Sequence, residues 1–245
     1  MLKDERHAEI LNRLQTAGVI RATALARDLG VNPVTLRRDL EALEQQGHLR
    51  RIHGGAVHRE GLITSPPTLV ESLERRIAGA AARFIPTGST LFIGPGTLTG
   101  ELIPFLGEHP HLTIITNALN VAWSVVRWQR HTLHLLGGQA ESDWGCYGDS
   151  AALADMRTDW VILEAGGIEA EQGLTHDALP YATLTRALFR RNAQIMVLAA
   201  PEQVGHASAR FIAPAEEVDI LITGREVADA PLWDLSELGI RIVLT

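Results

Sequence analysis

Residues 32–56 read NPVTLRRDLEALEQQGHLRRIHGGA. Asn32 followed by Pro33 marks a helix start, because an Asn side chain caps well and proline at the first helical position loses no hydrogen bond. Leu36, Leu40 and Leu43 then form one core-facing stripe, and Gly47 stops the helix. Thr35 and Arg38 share a face away from the leucines, with Arg37 beside it. Beyond Gly47, HLRRIHGGAV alternates and turns on Gly54-Gly55, which predicts a β-hairpin carrying Arg50, Arg51 and His53.

Two further helices are read upstream. DERHAEILNRLQTAG places Ile10, Leu11 and Leu14 on one stripe and ends at Gly18. ATALARDLG starts at Thr23 as cap, turns Leu25 and Leu29 inward and closes at Gly30. Only Gly30 and Val31 separate it from the Asn32 cap, the spacing of a helix-turn-helix. The face of Thr35, Arg37 and Arg38 can enter a major groove, where arginine donates two bonds to guanine and threonine meets phosphate or a thymine methyl. Arg50, Arg51 and His53 are expected at the DNA backbone, and Asn32 is counted with them among the DNA-binding residues. Asp39 would repel phosphate on that face, so it is expected to turn back onto an arginine of the module.

These residues carry a family resemblance. The run VNPVTLRRDLEALEQQGHLRRIHGGA is similar to the winged helix-turn-helix of DeoR-type bacterial regulators, with their T-[IL]-R-R-D-L core, L-E-x-x-G helix end and R-x-H-G-G-A wing. Asn32 stands where that family usually has Ser, and both cap helices.

Charge supports a division of the chain. Net charge is −7, yet residues 1–60 carry +2 and the remainder −9. A small module meeting a polyanion and a larger acidic body fit that split. Hydrophobic residues make up 46% of the 245, enough for a packed core. No apolar run reaches membrane-spanning length and MLKDERHAEI lacks a signal-peptide core, so no membrane partner and a cytoplasmic location are expected. Cys146 is the one cysteine, which excludes an intrachain disulfide. His109-x-His111 and His131-x-x-His134 read as polar strand ends; neither a metal nor another cofactor is expected.

Three domain assignments follow: residues 1–57 as the winged module, 58–69 (with Pro66-Pro67) as a linker, and 70–245 as a second domain. In the last, ESLERRIAGAAARFI reads as a helix. STLFIG, LTIITN, TLHLLGG, DWVILEAGG, AQIMVLAA, VDILITG and IRIVLT read as strands alternating with helices. That order predicts a doubly wound, mainly parallel α/β sheet with ligands at the carboxyl ends of its strands. The loop Gly94-Pro95-Gly96-Thr97-Leu98-Thr99-Gly100 leads from a strand into a helix and reads as an anion cradle. Asn117 and Gly138 close the next two strands.

This half resembles the DeoR sensor domain, similar in fold to ribose-phosphate isomerases and binding phosphorylated sugars or related metabolites. The resemblance implies an anionic effector held by Gly96, Thr97, Thr99, Asn117, Gly138 and Arg186. The chain departs from the family pattern at Gly94, Pro95, Leu98, Ala200, Gln203 and Gly224, so the ligand is expected to differ from the family's ordinary one. An isomerase-like enzyme with an appended DNA module is the alternative. It would need a base such as Glu164 or Asp177 and a pocket cation, yet the one lysine, Lys3, lies in the first module. No catalytic residues are assigned. The reading is a DNA-binding regulator, a repressor in type, acting on double-stranded operator DNA as a homodimer or homotetramer.

Overall fold

The structure is a computed structural model and describes residues 2–52, 54–58, 72–148, 153, 156–190 and 193–245. His53 and all but the first residue of the expected 58–69 linker lie outside the described residues.

The first module contains α1 (Lys3–Ala17), β1 (Val19–Arg21), α2 (Ala22–Asp28), α3 (Pro33–Gln45), β2 (Leu49–Ile52) and β3 (Gly55–His58). Ile10, Leu14, Leu25, Leu36, Leu40, Leu43 and Leu49 form its buried core, while Leu11 and Leu29 of the expected stripes are only partly buried against it. Asn32 caps α3 by accepting from Val34 N at 2.8 Å. The expected Thr23 cap gives way to a strand. β1 pairs with β3, and α2 begins at Ala22, whose N–H donates to Gly54 O at 2.7 Å. The wing is therefore three-stranded, in the order β1-β3-β2.

The second domain opens with α4 (Leu73–Ala82), β4 (Thr90–Ile93), α5 (Thr97–Gly100), β5 (Thr113–Thr116), α6 (Leu119–Trp128) and β6 (Thr132–Leu135). Two short strands follow, β7 (Gln139–Ala140) and β8 (Cys146–Tyr147), then β9 (Trp160–Glu164), β10 (Gly167–Glu169), β11 (Gly173–His176) and α7 (Leu179–Phe189). The chain ends with β12 (Gln194–Leu198), β13 (Arg210–Ala213), β14 (Ile220–Thr223), α8 (Asp229–Glu237) and β15 (Arg241–Leu244). The seven apolar runs form one parallel sheet in the order β15-β14-β12-β9-β4-β5-β6. Its central strands are buried on both faces: Val161 and Leu163 pack to one side, Trp160 and Ile162 to the other. Successive strands run one way from β4 and the other way from β9. The pair β4/β9 is therefore the topological switch point, where ligands of such sheets collect.

The modules touch directly. Val19 and Val57 of the wing join the core cluster containing Leu232, Trp233 and Ile242. Arg21 reaches Glu237 at 3.1 Å and Asp234 at 3.6 Å. At Gly18, φ is +75°, and a Cβ there would overlap Ile242 O.

Candidate functional site

Two sites can be built from these elements. On α3 the leucine stripe turns inward and leaves Val34, Thr35, Arg37 and Arg38 exposed on the opposite side. Val34, 60% exposed at the helix start, was not singled out from sequence. An apolar residue before an N-terminal Thr carries no polar signal, yet it can meet a thymine methyl. Asp39 turns back as expected. Arg6 Nε and Nη2 donate to its carboxylate at 2.6 and 3.1 Å, and His7 Nε2 lies 3.1 Å away. Burial pushes the Asp39 carboxyl upward, but the bonds from Arg6 and His7 outweigh it and hold the group below the usual value. Asp39 is thereby kept off the reading face.

Arg51 of the wing is engaged within the module. Arg51 Nη1 donates to Glu41 at 2.8 Å, and the Arg51 N–H donates to Glu44 Oε1 at 2.8 Å. Its guanidinium braces the wing against α3. Arg50 is half-buried on the same strand.

The second site is a cleft of about 320 Å³ at the β4/β9 switch point. Pro95, Gly96 and Thr97 line it from the turn after β4, and Glu164, Ala165 and Gly166 from the end of β9. Ser142, Asp143 and Trp144 come from the loop between β7 and β8, His176 from β11, Tyr181 from α7, and Gln203 from the turn after β12. The loop holds itself in place: Asp143 accepts from Gly145 N at 2.9 Å and from the Tyr147 hydroxyl.

The Gly-rich turn already has an occupant. Glu164 Oε2 accepts from Leu98 N at 2.6 Å, with the Thr99 and Thr97 amides also facing the carboxylate. Gly96 has φ +153°, and a Cβ there would fall 2.8 Å from the Glu164 Cβ, so a side chain at this position would displace Glu164. Burial raises the Glu164 pKa, and the three amides offset this only in part. The sequence shows a carboxylate at this strand end without showing that it reaches a turn 66 residues away.

The expected effector residues separate. Gly96 and Thr97 line the cleft. Thr99 is fully buried and donates to Gly96 O at 3.2 Å, inside the turn. Asn117 is also fully buried, and its Nδ2 donates to Cys146 O at 3.2 Å, tying down the loop that bears Asp143 and Trp144. Gly138, at φ +149°, lies against the Tyr147 backbone, where a Cβ would come within 2.3 Å of a carbonyl carbon. Arg186 donates from Nε to Phe211 O at 2.9 Å and is not among the residues lining the cleft. His176 stacks on Tyr181 with centroids 4.0 Å apart, and burial lowers its pKa despite the neighbouring Asp143 and Asp177. Sequence reasoning missed Asp143 and Trp144 on an irregular loop, His176 at the end of the short strand β11, and Tyr181, which is buried on α7 and reads locally as a core residue.

Residues 6–60 match the DeoR-like helix-turn-helix domain, and residues 71–225 match the DeoR C terminal sensor domain. The chain belongs to the DeoR family. It is a DNA-binding transcriptional regulator joined to that family's sensor domain, the class tied by sequence resemblance to phosphorylated sugars. The HTH-type transcriptional repressor CsqR of Escherichia coli is 32% identical over 98% of this chain and 94% of its own length. The glycerol-3-phosphate regulon repressor of Escherichia coli is 30% identical over 94% of this chain and 92% of its own. A ribose 5-phosphate isomerase from Methanocaldococcus jannaschii is a distant likeness, with a TM-score of 0.40, 14% identity, and coverage of 53% of this chain and 52% of that one. Among the described residues no helix is long and apolar enough to cross a membrane.

Proposed function

We propose that this DeoR-family regulator is a repressor whose hold on operator DNA is set by a small sugar-type metabolite bound in the β4/β9 cleft. The observation carrying the DNA half is the exposed face of Thr35, Arg37 and Arg38 on a capped helix, with Asp39 drawn away from it by Arg6. Val34 adds an apolar contact, and Arg50 takes backbone phosphate. Two copies are needed to read a site of useful length. The exposed stripe of Leu119, Trp123 and Val126 on α6, beside β6 at the edge of the sheet among the described residues, supports self-association through the sensor domain, as a dimer or tetramer. A cytoplasmic location suits such a partner.

The direct contact between wing and sensor supports the coupling. A ligand changes DNA affinity only if it binds the DNA-competent and incompetent arrangements unequally, and Trp233 against Gly55 gives the two domains a shared surface. An anionic effector, a sugar phosphate above all, is the expectation that family membership supports. The Glu164 carboxylate in the cradle argues against it. The enzyme reading has one observation in its favour, a desolvated carboxylate, Glu164, in a cleft that His176 also lines. The repressor names of the relatives support the regulator instead. Gel-shift titration of DNA from the chain's own upstream region, with and without candidate metabolites, tests the proposal. Absence of any sequence-preferring complex would refute it.

A further inference from the structure

The cleft's polar groups point to one charge class of ligand. Asp143 and Glu164 bring two carboxylates, and the described residues that line the cleft include neither lysine nor arginine. The backbone amides best placed for an anion are turned onto Glu164, with Leu98 N at 2.6 Å. A phosphate entering here would meet an occupied cradle and two like charges in a partly desolvated space.

The remaining groups are neutral donors and flat surfaces. His176 Nδ1 accepts from Ala178 N at 3.0 Å, which leaves Nε2 to carry the ring proton. Gln203 Oε1 accepts from Ala200 N at 2.7 Å, which leaves its amide nitrogen as a donor. Thr97 and Ser142 add hydroxyls. Trp144, 61% exposed, forms one wall, suited to the C–H face of a sugar ring. Carboxylates accept from hydroxyls, and neutral donors meet ring and hydroxyl oxygens.

We propose that this cleft binds a polyhydroxy compound with no negative charge, an unphosphorylated sugar, polyol or amino sugar, and that Glu164 and Asp143 select against phosphorylated forms. The proposal rests on the cleft being the effector site. It requires that ligand hydroxyls donate to Glu164 and Asp143 and that Glu164 keep its place over Leu98.

The test titrates the full chain with inorganic phosphate, against sodium chloride at matched ionic strength, and follows thermal unfolding. The wild type should respond to phosphate no more than to chloride, while Glu164→Ala, with its cradle uncovered, should gain a saturable phosphate-specific shift. A wild type that binds phosphate as well as the variant does, or a folded variant with no gain, overturns the proposal. Should Glu164→Ala fail to fold, Glu164→Ser likewise removes the carboxylate from Leu98 N and uncovers the cradle, and the same gain or its absence decides. A second arm compares glucosamine with glucosamine 6-phosphate, and galactitol with galactitol 1-phosphate. Any pair that binds should favour the unphosphorylated member by about tenfold or more, and preference for the phosphate ester overturns the proposal. DNA is absent from both arms, so a chain unable to bind an operator would refute the repressor reading while the cleft titration still gave its own answer.

Discussion

Gly55 of the wing lies against the indole of Trp233 in the sensor domain, so closely that a Cβ at position 55 would fall 2.5 Å from Cη2. The same Cβ would fall 2.0 Å from Ile20 O, so Gly55→Ala should destabilise by about 1–3 kcal/mol through overpacking. Trp233→Ala removes one of the two clashes. In a double-mutant cycle followed by denaturant unfolding, the pair should therefore cost less than the sum of the single changes. Strict additivity would mean that the wing does not rest on Trp233 in solution.

The Asp39 carboxyl is held low by Arg6 and His7 against the cost of its burial. A folded-state pKa below the unfolded one contributes stability that is present above the unfolded value and lost as pH falls through the folded value. Stability should thus decline below about pH 5, and Asp39→Asn should both lower neutral-pH stability and flatten that acid limb. Urea midpoints measured between neutral and acid pH check this; an unchanged acid limb in the variant would contradict the assignment.

Arginines on the reading module should behave in three ways. Arg38→Ala should cost about 1–3 kcal/mol at the operator and relax sequence preference. Arg50→Ala should weaken all sequences alike and flatten the salt dependence. Arg51 is braced by Glu41, so Arg51→Ala should act through the wing's stability, and Glu41→Gln should reproduce part of its effect. Equal loss of specificity from Arg38→Ala and Arg50→Ala would sink this division.

Much of this architecture is legible in sequence because local rules and tertiary packing agree. Asn32-Pro33 caps a helix, the leucines of α3 face a core, and the seven β-branched runs all enter one parallel sheet. The cleft is less legible because its decisive contacts span long separations. Nothing local to Gly96-Thr97 announces Glu164 as occupant, and nothing local to Asn117 announces Cys146 as partner. Arg186, conspicuous as a family-matched cation, is held by the Phe211 carbonyl outside the cleft. The loop of Ser142, Asp143 and Trp144 has no periodicity to read.

Leu119, Trp123 and Val126 stand one helical turn apart on the solvent side of α6, with Trp123 66% exposed. If this stripe joins copies, Trp123→Glu should shift the chain to a smaller species in light scattering and weaken operator binding with the sensor fold intact by circular dichroism. An unchanged mass would place the oligomer contact elsewhere.

Asn117 acts on the cleft through the loop it holds. Its side-chain N–H binds the Cys146 carbonyl at 3.2 Å, and the Cys146 N–H returns a 2.7 Å bond to the Asn117 carbonyl. Asn117→Ala removes the first bond and leaves a buried carbonyl short of a donor, a loss of about 1–3 kcal/mol. The backbone bond survives, so the loop should loosen without unfolding. Cys146 is 8% exposed and is the sole thiol, which makes it a clean reporter of that loosening. Thiol modification of the variant should run faster than in the wild type under native conditions, and binding of any cleft ligand should weaken as Asp143 and Trp144 lose their fixed places. Asn117→Asp keeps the shape but offers an acceptor to a carbonyl, so it should label at least as fast as the alanine variant. Labelling rates unchanged in both variants would show that the loop is held by its backbone alone.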